Sequence, residues 1–225
     1  LLIRLDKSQS SQRRFLADAA HQLRTPLTCL QTNIEIYVAE NTRRESSERL
    51  RNVFTSIERM SHLVSQLLAF ARTEDSFLKV KKQPVDLATV IQDVASQLID
   101  SAIQKNIDMS FELDHVVVDG IQWLIHEAVV NLVDNAIRYT PEKGNVYIRC
   151  KLSDGHPMLE ISDTGPGVEA AYRELVFERF FRVPGTGGDG CGLGLSVVQQ
   201  ICAQHSARLS LSDNHPTGLT VRIDF

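Results

Sequence analysis

Hydrophobic positions in the first third of the chain recur with a helical beat. Leu16, Ala20, Leu23, Leu27, Leu30, Ile34 and Tyr37 are separated by alternating steps of four and three. Leu50, Val53, Ile57, Met60, Val64, Leu67 and Ala71 follow the same rule with the steps reversed. Such spacing gathers each set on one stripe of a helix and packs helices at shallow angles. Up to Thr73 the chain holds one proline and no glycine, and it is rich in helix formers. The polar stretch from Asn41 to Arg49 offers Asn41 to end one helix and Ser46 or Ser47 to cap the next. Two such helices make an antiparallel hairpin. With one stripe per helix a hairpin buries little alone, so pairing with a second copy into a dimeric four-helix bundle is its natural completion.

Beyond the segment Thr73–Pro84 the pattern changes. Short β-type runs at Val116–Val118, Asn145–Leu152, Met158–Ser162, Ala207–Ser212 and Leu219–Phe225 alternate with helical stretches at Leu87–Lys105, Ile121–Tyr139 and Leu195–His205. Turn signals fall at Asp119-Gly120, Pro141–Asn145 and Asp154–Pro157. The expected organisation is α+β: a helical hairpin over 1–74, a linker over 75–84 and a mixed α/β domain over 85–225.

Composition adds limits. Hydrophobic residues at 43% and charged residues at 23% describe an ordinary globular chain. A net charge of −4 argues against a general nucleic-acid binder. That charge is uneven, +3 over residues 1–74 and −7 over the rest. Cys29, Cys150, Cys191 and Cys202 form no CxxC pair and no zinc-type cluster, so a reduced, cytoplasmic setting is the simplest reading. No apolar run reaches the ~18 residues of a membrane helix. The chain opens on Leu1 in mid-pattern, as a piece of something longer would.

Glycine is scarce and concentrated. Eight of the twelve lie in Asp163–Gly167 (DTGPG) and Gly185–Gly194 (GTGGDGCGLG), the latter running into a helical segment. Backbone amides freed by glycine, together with a helix N-terminus, can cradle phosphate; a flexible surface loop has the same composition. On the helix Ile121–Tyr139, Asn131 and Asn135 are four apart and project from one face, with Arg138 and Tyr139 close by. Neutral oxygens for Mg²⁺, a cation for phosphate and an aromatic for a base make a nucleotide kit, although paired asparagines also occur as plain helix surface.

Together these segments resemble a known family. Asn131–Pro141 (NLVDNAIRYTP), Asp163–Gly167, Phe177–Arg182 (FERFFR) and Gly190–Leu195 (GCGLGL) resemble the ordered N, G1, F and G2 boxes of bacterial sensor histidine kinases. Phe15–Leu27 (FLADAAHQLRTPL) resembles their H box, in a variant similar to the tricarboxylate-transport type. The resemblance implies a phosphoacceptor hairpin followed by a Bergerat-type ATP-binding sandwich. By motif, Asp163 would hydrogen-bond the adenine amino group and Tyr139 would pack on the ring. Asn131 and Asn135 would hold Mg²⁺, with Arg138 on the phosphates. Gly165 and Gly167 would let the chain pass close to the nucleotide. Gly190, Gly192, Leu193 and Gly194 would close over the phosphates, above a lid base formed by Phe177, Phe180 and Phe181; core packing is the other reading of the phenylalanines.

His21 lies beside the seam formed by Leu16, Ala20, Leu23 and Leu27, on the outward side. Its ring nitrogen has a lone pair at neutral pH and can attack phosphorus without a strong base. The resemblance implies that it takes the γ-phosphoryl group of ATP and passes it to an aspartate of a response-regulator receiver domain. It further implies a homodimer, the cytoplasmic portion of an inner-membrane sensor, and a response-regulator phosphatase activity beside the kinase one. Many family members carry an acidic residue after the histidine; Gln22 stands there, and a carboxamide takes no proton at neutral pH. Thr25, a turn further on, matches the position that orients water for dephosphorylation, or is helix filler before Pro26. Two other classes share features with this chain: clamp ATPases of the same superfamily, against which the His21 hairpin argues, and a scaffold with a degenerate pocket, against which Asn131, Asn135 and Asp163 argue.

Overall fold

The computed structural model describes residues 81–185 and 192–225. The hairpin with His21, Gln22 and Thr25 lies outside the described residues, as does Gly190. Contacts divide the chain into two units between Leu68 and Ala69, and every described element belongs to the second.

Strand β1 (Gln83–Asp86) leads directly into helix α1 (Leu87–Gln104), whose N-cap is Asp86: its side chain accepts from the Ala88 amide at 3.2 Å. Strands β2 (Asp108–Leu113) and β3 (Val117–Gly120) precede helix α2 (Gln122–Tyr139). The hairpin β4 (Asn145–Ser153) and β5 (His156–Asp163) follows, then two 3₁₀ turns, Ala170–Tyr172 and Leu175–Phe177. Helix α3 (Gly194–His205), β6 (Arg208–Asp213) and β7 (Leu219–Asp224) close the chain.

The main sheet runs β2-β4-β5-β7-β6, with β2 parallel to β4 and every other pair antiparallel; β1 and β3 form a separate two-stranded ribbon. Period-two alternation gives the sheet one apolar face. Val146, Ile148 and Cys150 of β4, Leu159 and Ile161 of β5, and Val221 and Ile223 of β7 point into the same core as Leu124, Ile125, Val129 and Leu132 of α2 and Val197, Val198 and Ile201 of α3. The other face is charged, with Arg149 of β4 bonded to Glu112 of β2 at 2.5 Å and to Glu160 of β5 at 3.2 Å. Cys150 and Cys202 are unbridged core thiols that burial pushes up to about 11 and about 12, so both are protonated at neutral pH.

The three expected helices are present to within one residue at each end. Two strands are not among the expected elements. β1 begins at Gln83, inside the segment read as linker, because Gln83 and Pro84 pair with Gly120 and Asp119. That pairing also corrects the turn expected at Asp119-Gly120, which is the last part of β3. β2 was left unassigned although Met109, Phe111 and Leu113 alternate; its polar positions face Tyr147 and Arg149 in a parallel register that only distant pairing creates.

His205, 7% exposed in the last turn of α3, ties that helix to the start of α2. Its Nδ1 donates to the Ile201 carbonyl at 2.7 Å and its Nε2 accepts from the Ile121 amide at 3.0 Å. Burial holds its pKa below the ordinary histidine value; the Ile201 carbonyl and Asp119 oppose this and Lys82 adds to it. The unfolded chain therefore takes up a proton near pH ~6.5 that the folded one accepts only at lower pH. Stability is fully present above that point and falls as the pH drops below it. The denaturant midpoint of the wild type should fall more steeply between pH ~7.5 and ~5.5 than that of His205→Gln; parallel slopes would refute this.

Candidate functional site

Two polar residues stand where the folding pattern calls for hydrophobes. Asn131 sits among the core positions of α2 and is 2% exposed. Asp163 continues the inward alternation of Leu159 and Ile161 at the end of β5 and is 7% exposed. Burying such groups is costly unless they are bonded, and both are.

Asn131 Nδ2 donates to the Glu127 carbonyl at 2.8 Å and to Glu127 Oε1 at 3.1 Å. Its Oδ1 and the carboxamide of Asn135 meet the first residue of α3. A Cβ added at Gly194 would lie 3.1 Å from Asn135 Nδ2 and 3.2 Å from Asn131 Oδ1, closer than side chains ordinarily pack. Gly194 is glycine because the helix starts on top of two carboxamides. Fully buried Leu193 anchors that start, and no side chain caps it. The amides and partial positive charge of the α3 N-terminus thus face the Asn131–Asn135 stripe. Glu127, Asn131 and Asn135 recur every four residues and offer hard oxygens, the donor type Mg²⁺ prefers, so the residues present fit that ion.

Asp163 Oδ1 accepts from the Gly165 amide at 2.8 Å and the Leu219 amide at 3.3 Å. No described residue donates to Oδ2, which leaves one carboxylate oxygen for a ligand donor. Burial raises the Asp163 pKa, and the two amide bonds work in the opposite direction. Gly165 rests against the Tyr139 carbonyl: a Cβ there would stand 2.9 Å from it. The loop after β5 therefore abuts the C-terminal end of α2. Gly165 and Gly167 are read above as giving room to a nucleotide; a side chain at the first would also meet Asp163 Oδ1 and the Tyr139 carbonyl, and one at the second the Gly218 carbonyl.

Half-buried Tyr139 ends α2, and Lys105 caps that end. The Lys105 ammonium donates to the carbonyls of Ile137, Arg138 and Thr140 at 2.8, 2.8 and 2.7 Å, using all three protons. A cation at a partly buried helix C-terminus stabilises by up to about 2 kcal/mol. Arg138 is paired with Asp134 at 2.8 Å, one turn back on α2. Phe177, Phe180 and Phe181 are half-buried and none belongs to the core cluster. The Phe180 amide donates to the Gly192 carbonyl at 2.8 Å, joining this segment to the described end of the glycine-rich loop, and Phe181 stacks obliquely on Tyr172.

The structure thus brings Asn131, Asn135, Leu193 and Gly194 together, and separately joins Asp163, Gly165 and Tyr139 through backbone contact. Glu127 and Lys105 have no place in the sequence reading. Glu127 had a signal in its four-residue step before Asn131; the reach of Lys105 to carbonyls more than thirty positions away had none.

Comparison with known proteins gives these observations a family. Residues 120–225 match the family described as histidine kinase-, DNA gyrase B-, and HSP90-like ATPase, and residues 11–76 match the His Kinase A (phospho-acceptor) domain. The solved mycobacterial sensor histidine kinase MprB is 33% identical, superposes with a TM-score of 0.57, and the match covers 64% of this chain and 96% of that one. The chain belongs to the sensor histidine kinases. The sensor protein kinase PmrB of Pseudomonas aeruginosa is 38% identical over 225 residues, 99% of this chain and 47% of PmrB. The chain therefore spans about half the length of the curated relatives it matches. Histidine kinase ThkA, solved in complex with response regulator protein TrrA, has the same fold, at 21% identity and a TM-score of 0.76 over 98% of this chain and 63% of that one. Among the described residues of this sensor kinase, no helix is long and apolar enough to cross a membrane.

Proposed function

We propose that this sensor histidine kinase binds ATP between α2, the end of β5 and the start of α3, and transfers its γ-phosphoryl group to His21. The observation that carries the proposal is the seating of Gly194 on the paired carboxamides of Asn131 and Asn135, which sets oxygen ligands and helix amides against one another where a polyphosphate would lie. Asp163 accepts from the adenine amino group through Oδ2, Tyr139 flanks the ring, and Asn131 and Asn135, with Glu127 behind them, hold Mg²⁺. Bound there, the ion would neutralise phosphate charge. Arg138, shared with Asp134, adds positive charge at the same end of α2. Gly190, Gly192, Leu193 and Gly194 close over the phosphates, and Phe177, Phe180 and Phe181 form the base of that lid.

A ring nitrogen of His21 forms the new bond to phosphorus as the bridging oxygen leaves with ADP; positioning and electrostatics dominate such transfers. The remaining ring proton has no base at Gln22 and goes to water. General-base help is worth roughly 10²–10⁴ in rate, so this step is slow relative to kinases with a carboxylate at that position. The phosphoryl group then passes to an aspartate of a receiver domain, the partner class seen with ThkA. Thr25 orients water for the phosphatase reaction, in which water attacks the phosphoaspartate of the receiver and inorganic phosphate leaves. The hairpin 1–74 makes a homodimer, the linker ahead of β1 serves as the hinge that lets the ATP domain reach His21, and the chain is the cytoplasmic portion of a bacterial inner-membrane sensor. The finer likeness of the H box to the tricarboxylate type rests on its own residues, since the relatives named above are MprB and PmrB.

The test is incubation of the chain with γ-labelled ATP and Mg²⁺, followed by a chase with a receiver domain. Label should appear on the chain in an acid-labile, base-stable linkage and then move to the receiver. A base-labile linkage would overturn the assignment of a histidine acceptor.

A further inference from the structure

The loop Asn214–Gly218 between β6 and β7 lies against Asp163, more than fifty positions earlier in sequence. Asn214 Nδ2 donates to the Asp163 carbonyl at 2.8 Å, and the Asn214 amide closes the loop on the Gly218 carbonyl at 3.1 Å. Gly218 has φ +132, and a Cβ there would fall 1.8 Å from the Asp163 carbonyl oxygen, so only glycine allows the approach. The next amide, Leu219, bonds Asp163 Oδ1. A second tie runs nearby: Arg173 pairs with Asp213 and donates through Nε to the Val168 carbonyl at 3.2 Å. The tip of the loop, His215 to Thr217, is exposed, while Gly218 is buried. The two ends of the loop therefore grip the main chain and one carboxylate oxygen of Asp163 and leave the other oxygen unspent.

We infer that Asn214 is a positioning residue for base selection: by holding the Asp163 peptide it aims Oδ2 at the exocyclic amino group of the purine, so that the site prefers a 6-amino purine nucleotide over its 6-oxo counterpart. This rests on the reading of Asp163 as the adenine contact. The amino group donates to a carboxylate, whereas a 6-oxo group presents a lone pair to it. The preference therefore depends on where Oδ2 stands, and a small rotation of the Asp163 peptide removes it.

The experiment measures the binding of ATP and ITP to the 225-residue chain in the wild type, Asn214→Asp, Asn214→Ala and Asp163→Asn. Asn214→Ala deletes the donor without adding charge, and Asn214→Asp keeps the outline of the side chain but sets an acceptor against the carbonyl, so the two variants break the same bond in different ways. Both Asn214 variants should bind ATP about three- to tenfold more weakly with ITP affinity unchanged, which lowers the ATP/ITP ratio. A general structural defect would weaken both nucleotides together, so a parallel loss, or an unchanged ratio in Asn214→Asp, overturns the inference. Asp163→Asn separates the two levels. If it keeps the wild-type ratio, the adenine role of Asp163 itself is wrong; if it loses the ratio while Asn214→Asp retains it, only the role of Asn214 is wrong.

Discussion

His21→Ala should abolish incorporation of label from γ-labelled ATP while ATP binding stays at the wild-type level. The expected change is the largest available in this chain because the nucleophile has no substitute: removing the imidazole removes the only atom that forms the phosphorus–nitrogen bond. Among the described histidines, His205 and His115 have partners of their own. His205 has both ring nitrogens committed to backbone groups in the core, and His115 is paired with Asp86 at 2.8 Å at the start of α1. The proposed nucleotide site uses α2, α3 and the β5 loop and not His21, so calorimetric ATP affinity should not move. Acid-labile, base-stable label persisting in His21→Ala would sink the assignment of the acceptor.

Asn135→Ala should lower ATP affinity by about ten- to a hundredfold in the presence of Mg²⁺, matching the loss of a bond to a charged partner worth about 1.5–3 kcal/mol. Most of that loss should vanish when affinities are compared without Mg²⁺ if, as proposed, the carboxamide acts through the ion. Asn135 suits the test better than Asn131. It is half-buried, whereas Asn131 is almost wholly enclosed and bonded to Glu127, so truncating Asn131 would also strand a buried acceptor. The thermal midpoint should change little. Unchanged ATP binding in Asn135→Ala would contradict the placement of the phosphates at the start of α3.

Much of this site is local and so was legible from the chain. The four-residue step between Asn131 and Asn135 guarantees a shared helix face wherever the helix goes. The run Leu193–Leu195 opens a helix whose N-terminal amides need an acceptor. Asp163 entered through the motif Asp163–Gly167; its place on the inward phase of β5, after Leu159 and Ile161, came with the structure. Order and spacing of the boxes supplied the family likeness, and the solved relatives bear it out.

What escaped the sequence reading is non-local. Lys105 closes α1 in sequence and caps α2 in space. Gly218 and Asn214 look like ordinary turn residues until β7 pairs with β5 and brings them onto Asp163. Gly165 and Gly167 also admit the backbone of Tyr139 and Gly218, contacts that no local pattern shows. β1 and β2 are too short or too polar to announce themselves, and exist as strands because β3 and β4 are there to receive them.

The amino-acid sequence by itself determined the three helices of the described domain, the face that carries the asparagines and the family, since these depend on a period of 3.6 residues and on motif order. Only the tertiary structure decided that Gly194 seats on the two carboxamides, that the Leu219 amide joins the local Gly165 bond on one oxygen of Asp163, and that the β6–β7 loop holds the Asp163 carbonyl. Those outcomes depend on hydrogen bonds between residues tens of positions apart, which strand register and helix packing bring within reach and no local pattern encodes.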